Sequence, residues 1–328
     1  MPQKLLFGFI GCGKMAEFHA DVVRHLGHEI LLVVARENST HIDGFAQKYN
    51  IPLKFRGMSS FLKSKDKEKL DAIIICVSWD TNETILKDVL NLGVPILVEK
   101  PAVLSLKALR DIRKNKKALK NICVAYNRRH YEFIPHLQTM IKNQKILCAD
   151  VLFPDPYSLA LKLYGPKIKN HILHYSSSHA IDLMYYLLGD VKINSVCAVN
   201  AGGTRSFVVD LYSKTYKCPV QFKILMDSAQ NSYLKIFFEN EVAVLCPFEK
   251  MFVYDRIEKQ INKDGLNVYL PGIKEEFAVD NRFKPGLFNQ MNHFINTFVL
   301  KKNTSLVEIK RLEQVTGFCD RMLKTKGN

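Results

Sequence analysis

Three short stretches of this 328-residue chain combine residue types at spacings that suit chemistry. The first is Gly11-Cys12-Gly13-Lys14-Met15-Ala16, placed after the apolar run Leu5 to Ile10 and before a helical pattern through Met15, Phe18, Val22, Val23 and Leu26. A strand that turns there into a helix presents free backbone N–H groups and a positive dipole end to a pyrophosphate. Gly11 permits the sharp turn, Gly13 lets the backbone approach the phosphates, and Ala16 is small enough for close packing of helix on strand. The second stretch is Glu99-Lys100-Pro101, directly after the apolar strand Val94 to Val98. A lysine is ordinarily a surface residue, but one held at such a strand end beside apolar walls has its charged form disfavoured and suits proton exchange with a hydroxyl. The third pairs His179 with Asp182, three apart on one helix face. A histidine in a first helical turn stays neutral and accepts a proton; the plainer reading is a capped or core histidine.

The elements that must position these residues follow from hydrophobic patterning. Strands are expected at Leu5 to Ile10, Glu29 to Ala35, Asp71 to Val77, Val94 to Val98 and Ile122 to Tyr126. Helical patterns fall between them at Ile42 to Tyr49, Glu83 to Leu92 with Gly93 as the stop, and Leu106 to Leu119. Strands buried on both faces and alternating with helices predict a parallel, doubly wound sheet whose ligand lies at the carboxyl ends of the strands. From Cys148 onward short aromatic-rich strands follow one another, from Val151 to Phe153 through Val242 to Leu245, which predicts a mostly antiparallel sheet. One helix interrupts it, from about His179 to Leu188, with Ser176, Ser177 and Ser178 as candidate N-caps and Gly189 as the stop. Two more helices are expected at Leu287 to Leu300 and Val307 to Leu323. The fold class is therefore α/β: a dinucleotide-binding domain over residues 1–126, then an α+β domain with an open sheet and C-terminal helices over residues 127–328.

Composition narrows the function classes. An apolar content of 47% fits a globular protein, and the longest apolar runs fall well short of the roughly 18 residues of a membrane span. The segment Lys4 to Cys12 has too short an apolar part for a signal peptide, so a cytoplasmic protein without a membrane partner is expected. Eight scattered cysteines, with no C-x-x-C pair and no histidine at zinc spacing, indicate neither a disulfide framework nor a metal site. The formal charge of +15 is spread over several elements, and no nucleic-acid module accompanies it. It reads as a solvated surface or as electrostatic steering of an anionic substrate.

Taken together, the glycine turn, Glu99-Lys100-Pro101, Tyr126-Asn127-Arg128-Arg129 and His179-x-x-Asp182 ending in Leu187-Leu188-Gly189 resemble the Gfo/Idh/MocA family. The resemblance covers nearly the whole chain. It implies a nicotinamide-dependent oxidoreductase acting on sugars, cyclitols or nucleotide-linked sugars, and an open sheet that commonly forms a dimer interface. It also implies Lys100 and His179 as the catalytic pair, with Cys12, Lys14, Met15, Glu99, Asn127 and the Ser78-Trp79-Asp80 turn along the cofactor and Arg128 and Asp182 toward the substrate. The chain departs from the family pattern in three places. Tyr175 stands where an aspartate commonly precedes the histidine by four residues, as a substitute acid or as a pocket wall; Ser78-Trp79-Asp80 replaces Thr-Pro-Asn; and Glu83 replaces a frequent histidine. The rival reading is a cofactor-binding regulator that has lost catalysis.

Two expectations concern partners. The second strand ends Val34-Ala35-Arg36 with no acid before Glu37 to accept the adenosine ribose, while Arg36 offers a planar fork to a 2′-phosphate, so NADP is favoured over NAD. Phe207, Tyr212, Phe222, Phe237 and Phe238 supply more apolar surface than the few local helices cover, which predicts a homodimer or a tetramer of dimers.

Overall fold

The computed structural model describes residues 4–114, 118–300 and 307–325. The chain divides into two compact units: Met1–His130 with Asn281–Asp320, and Tyr131–Asp280 with Arg321–Asn328.

In the first unit the apolar runs form six parallel strands, β1 (Leu6–Ile10), β2 (Glu29–Ala35), β3 (Leu53–Arg56), β4 (Ala72–Ile75), β5 (Ile96–Val98) and β6 (Ile122–Val124). They are ordered β3-β2-β1-β4-β5-β6, so the winding reverses between β1 and β4 and opens a crevice at their carboxyl ends. Strand β3 is not among the predicted ones. It lies at the sheet edge, and its alternation of half-buried and exposed residues lacks the continuous apolar run of the central strands. Phe7 and Phe9 of β1, Val33 of β2 and Ile74 of β4 share a core with Ala16, Ala20 and Val23 of the helix Lys14–His25.

The expected division at residue 126 assigned the C-terminal helices to the second domain, whereas residues 281–320 group with the first. Leu287, Met291 and Phe294 of the helix Leu287–Phe294, with Ile295 and Phe298 of the π-helical turn after it, are buried in the same core. Each such side chain contributes about 1.5–3 kcal/mol by leaving water. The helix expected over 106–119 runs Leu106–Arg113, and residues 115–117 of that stretch lie outside the described residues.

The second unit holds eight strands: β7 (Ile146–Asp155), β8 (Val191–Ala201), β9 (Thr204–Ser213), β10 (Cys218–Met226), β11 (Tyr233–Phe238), β12 (Val242–Leu245), β13 (Lys250–Ile261) and β14 (Asn267–Ala278). Their order is β14-β13-β12-β11-β7-β10-β9-β8, and every neighbouring pair is antiparallel except β7 with β10. Alternation along the strands sends Phe207, Phe222 and Phe238 to the covered face, where each is buried, so these three are not surplus apolar surface. Tyr212, at 39% exposure, and the half-buried Phe237, Phe252 and Tyr254 lie on the other face.

No helix among the described residues is long and apolar enough to cross a membrane, and no group of three or more His, Cys, Asp or Glu among them is placed to hold a metal ion. All eight cysteines are unbridged.

Candidate active site

The glycine turn is built as its spacing requires. Gly11 has φ +104°, and a Cβ there would lie 2.1 Å from the carbonyl oxygen of Cys76, so the end of β1 passes against the end of β4 only because position 11 has no side chain. The turn is pinned by Gly11 N–H donating to Val34 O at 2.8 Å and Cys76 N–H donating to Ile10 O at 2.8 Å. Gly13 is different. Its φ of −88° suits any residue, and a Cβ there would meet nothing within 4 Å. The space above it is open at the N-terminus of the helix Lys14–His25, whose first N–H groups receive no side-chain cap. Open space, uncapped donors and a positive dipole end fit a pyrophosphate. Around this turn, Cys12 Sγ is 3.5 Å from Ser39 Oγ, Lys14 pairs with Glu17 at 3.2 Å, and Met15 is half-buried.

Lys100 is held by its neighbours on both sides. Glu99, 8% exposed, closes β5 and places one carboxylate oxygen 2.9 Å from His19 Nε2, and its other oxygen accepts the Lys100 N–H at 3.2 Å. Asn82, fully buried, donates from Nδ2 to the carbonyls of Glu99 (2.9 Å) and Pro101 (3.1 Å), the two that flank Lys100. Burial pushes the Glu99 carboxyl up, but the His19 hydrogen bond and the charges of His19, Lys100 and Lys284 outweigh it and hold it below the ordinary carboxylate value. The backbone at Lys100 is thus fixed by a buried anion and a buried amide. Neither His19 nor Asn82 is among the sequence-predicted site residues. The available signal was His19 itself, a polar residue on the apolar face of its helix between Ala16 and Val23.

The remaining predicted residues of the first unit divide by exposure. Ser78 is exposed and donates its hydroxyl to the Asp80 carboxylate, while Trp79 is buried. Glu83 pairs with Lys87 on the helix Asn82–Val89. Asn127 is nearly buried, and its amide donates to Pro285 O at 2.8 Å, so its side chain braces the segment before the helix Leu287–Phe294. From that helix the buried Gln290 accepts the N–H groups of Tyr126 and Asn127, both at 3.2 Å, in the amide orientation its neighbours require. Arg128 is half-buried beside Arg129, whose buried ion pair with Glu308 (2.8 Å) ties the Asn127–His130 turn to the helix Val307–Lys324. Arg36 is exposed past the end of β2, and its guanidinium makes no hydrogen bond to the described residues.

The second unit carries Tyr175, His179 and Asp182, in a setting that corrects the expected helix start. The three serines are not N-caps. The helix Ser178–Leu188 continues directly from a π-helical turn, Leu173–Ser177, and Ser176, Ser177 and Ser178 are all buried within that run. Ser177 Oγ donates instead to the buried Asp155 at the end of β7, at 2.5 Å. His179 therefore does not stand in the free first turn of a helix, and the dipole argument for its neutrality does not apply. π turns of this kind are frequent at functional sites. Tyr175, half-buried, meets Tyr164 with hydroxyls 2.9 Å apart and rings edge-on at 5.0 Å. Burial, the Tyr164 hydrogen bond and the Asp155 charge push its phenol well above the ordinary tyrosine value, so it stays neutral. Asp182 is fully buried in its helix.

A parallel sheet with this strand order and a glycine turn at the end of β1 defines a nucleotide-binding Rossmann unit. Residues 5–127 match the model of the Gfo/Idh/MocA oxidoreductase family with an NAD-binding Rossmann fold, which bears out the resemblance over the span that holds the glycine turn and Glu99-Lys100-Pro101. Solved structures are similar over the whole chain. An oxidoreductase from Thermotoga maritima superposes with a TM-score of 0.77 at 16% identity, covering 99% of this chain and 98% of its own. A UDP-N-acetylglucosamine 3-dehydrogenase from Acidithiobacillus ferrooxidans does so with a TM-score of 0.72 at 16% identity (97% and 96%). A levoglucosan dehydrogenase in complex with NADH gives 0.74 at 11% identity (98% and 96%). At these identities the likeness is one of fold. No curated protein sequence matches the chain.

Proposed function

We propose that this protein is an NAD(P)-dependent oxidoreductase that transfers a hydride between nicotinamide and a hydroxyl or ketone carbon of a sugar, cyclitol or nucleotide-linked sugar. The observation that carries the reading is the buried clamp of Glu99, His19 and Asn82, which fixes Lys100 at a strand end of the same unit that carries the Gly11 turn. A structural lysine does not need both flanking carbonyls and its own N–H held by buried groups. The glycine turn would hold the pyrophosphate, and the nicotinamide when bound supplies the hydride chemistry. Lys100 would exchange the proton of the reacting hydroxyl; His179 would orient the substrate or share that proton, and Tyr175 would bound the pocket as a neutral hydrogen-bonding phenol. The formal charge of +15 suits a substrate with an anionic group, such as a nucleotide-linked sugar, and unbridged thiols suit the cytoplasm. A panel of sugars, cyclitols and nucleotide sugars, followed at the nicotinamide absorbance, tests the reading. Tight cofactor binding with no turnover on any of them would favour the regulator.

NADP is the proposed cofactor. Arg36 is unengaged at the ribose end of the crevice, while the Glu37 side chain packs over Gly57, 3.1 Å from where a Cβ of that glycine would stand. Arg36→Ala is expected to weaken NADPH about tenfold and NADH little, the usual worth of a charge-assisted hydrogen bond to one phosphate. Calorimetric dissociation constants for both dinucleotides check this, and tighter binding of NADH than of NADPH by the unsubstituted protein would refute it.

We also propose that the face of the second sheet bearing Tyr212, Phe237, Phe252 and Tyr254 associates with a second copy. Light scattering at micromolar concentration should give a mass of two or four chains, and a monomer throughout would count against it.

A further inference from the structure

Lys284 is a cation that the roles above leave unused. Its backbone is fixed: its carbonyl accepts the Leu287 N–H at 3.0 Å, and the next carbonyl, of Pro285, is held by Asn127. The side chain reaches from there to the phosphate turn. Its ammonium lies 3.0 Å from the thioether sulfur of Met15, in the first turn of the helix Lys14–His25, and 5.5 Å from the centre of the Phe18 ring. Lys14 covers the same ring at 5.0 Å but is neutralised by Glu17. Lys284 has no carboxylate within ion-pair distance among the described residues, although its charge is felt at Glu99 and at Cys76. A thioether is a weak acceptor for an ammonium. Lys284 therefore places one unneutralised ammonium against a thioether beside uncapped helix N–H groups, a setting that suits an anionic ligand.

We propose that Lys284 is a ligand of the cofactor's pyrophosphate, reaching it from the segment before the C-terminal helices and opposite the glycine turn. The proposal rests on dinucleotide binding as read above. It adds a strap formed more than 250 residues away in sequence from the turn it closes (from Met15 to Lys284 is 269 positions).

The test uses the full chain and three probes: NADPH, ADP-ribose, which keeps the pyrophosphate but lacks nicotinamide, and adenosine 2′-monophosphate, which lacks the pyrophosphate. Lys284→Met should raise the dissociation constants of NADPH and ADP-ribose by about tenfold, as for loss of one charge-assisted hydrogen bond. Lys284→Arg should restore most of the affinity, and adenosine 2′-monophosphate should bind all three proteins alike. Unchanged ADP-ribose affinity in Lys284→Met would overturn the proposal. So would an equal loss for adenosine 2′-monophosphate, which would mark a diffuse field in place of a contact. If the unsubstituted protein binds neither NADPH nor ADP-ribose, the dinucleotide reading itself fails and takes the strap with it. Lys284 is exposed, so the variants should keep the unsubstituted thermal midpoint.

Discussion

Lys100→Ala should slow hydride transfer by roughly 10²- to 10⁴-fold, the usual worth of a positioned proton-transfer group, while NADPH affinity changes little. The two effects separate because the clamp acts on the backbone. Glu99, His19 and Asn82 hold the strand end through carbonyls, an N–H and a carboxylate that the substitution does not touch. His179→Ala should also slow turnover. If both groups serve one proton transfer, the double variant will lose less than the product of the single losses. Tyr175→Phe removes only the hydroxyl shared with Tyr164, and because that phenol is held neutral we expect most of the activity to remain. The measurement is single-turnover absorbance of the nicotinamide with the first substrate found by screening. Full activity in Lys100→Ala would remove it from the mechanism.

The two glycines of the turn should fail in opposite ways. Gly11→Ala places a methyl 2.1 Å from a backbone oxygen at a φ of +104°, where neither partner is a flexible side chain. Strain and overpacking together predict a loss of about 2–6 kcal/mol, seen as a lower denaturant midpoint for the first unit. Gly13→Ala meets no atom and needs no unusual φ, so its cost is that of alanine for glycine at a helix N-cap, at most about 1 kcal/mol. The methyl would instead fill the open space proposed for the pyrophosphate, and the dissociation constant for NADPH should rise by roughly 10- to 100-fold. Denaturation and calorimetry on the same two variants read both effects. Undiminished binding by Gly13→Ala would place the phosphates elsewhere.

Legibility in the sequence followed the physics of each element. Strands β2 and β12 are found at their predicted bounds because their residues form unbroken apolar runs. Strand β3 and the β13–β14 hairpin are largely exposed, so pairing holds them more than burial does, and pairing partners leave no local pattern. At the site, Gly11 and Glu99-Lys100-Pro101 were legible because their chemistry is contiguous. The His19–Glu99 pair spans eighty positions, and periodicity says which face of a helix a histidine occupies but not which strand end it meets. The three serines misled for a related reason. A serine before an apolar helical pattern signals a cap, but Ser177 finds its acceptor in Asp155, twenty-two residues away, and the helix runs on through a π turn.

The first unit is discontinuous, since residues 281–320 complete what residues 1–130 begin. A ribosome delivers the glycine turn and all six parallel strands long before it delivers Leu287, Met291 and Phe294, which finish their core. During synthesis the second unit therefore emerges almost entire while the first still exposes the groove those side chains fill. The half that would hold the cofactor begins first and closes late, and a chain cut short before residue 287 would be left with an open hydrophobic seam, the kind of surface that chaperones and proteases recognise.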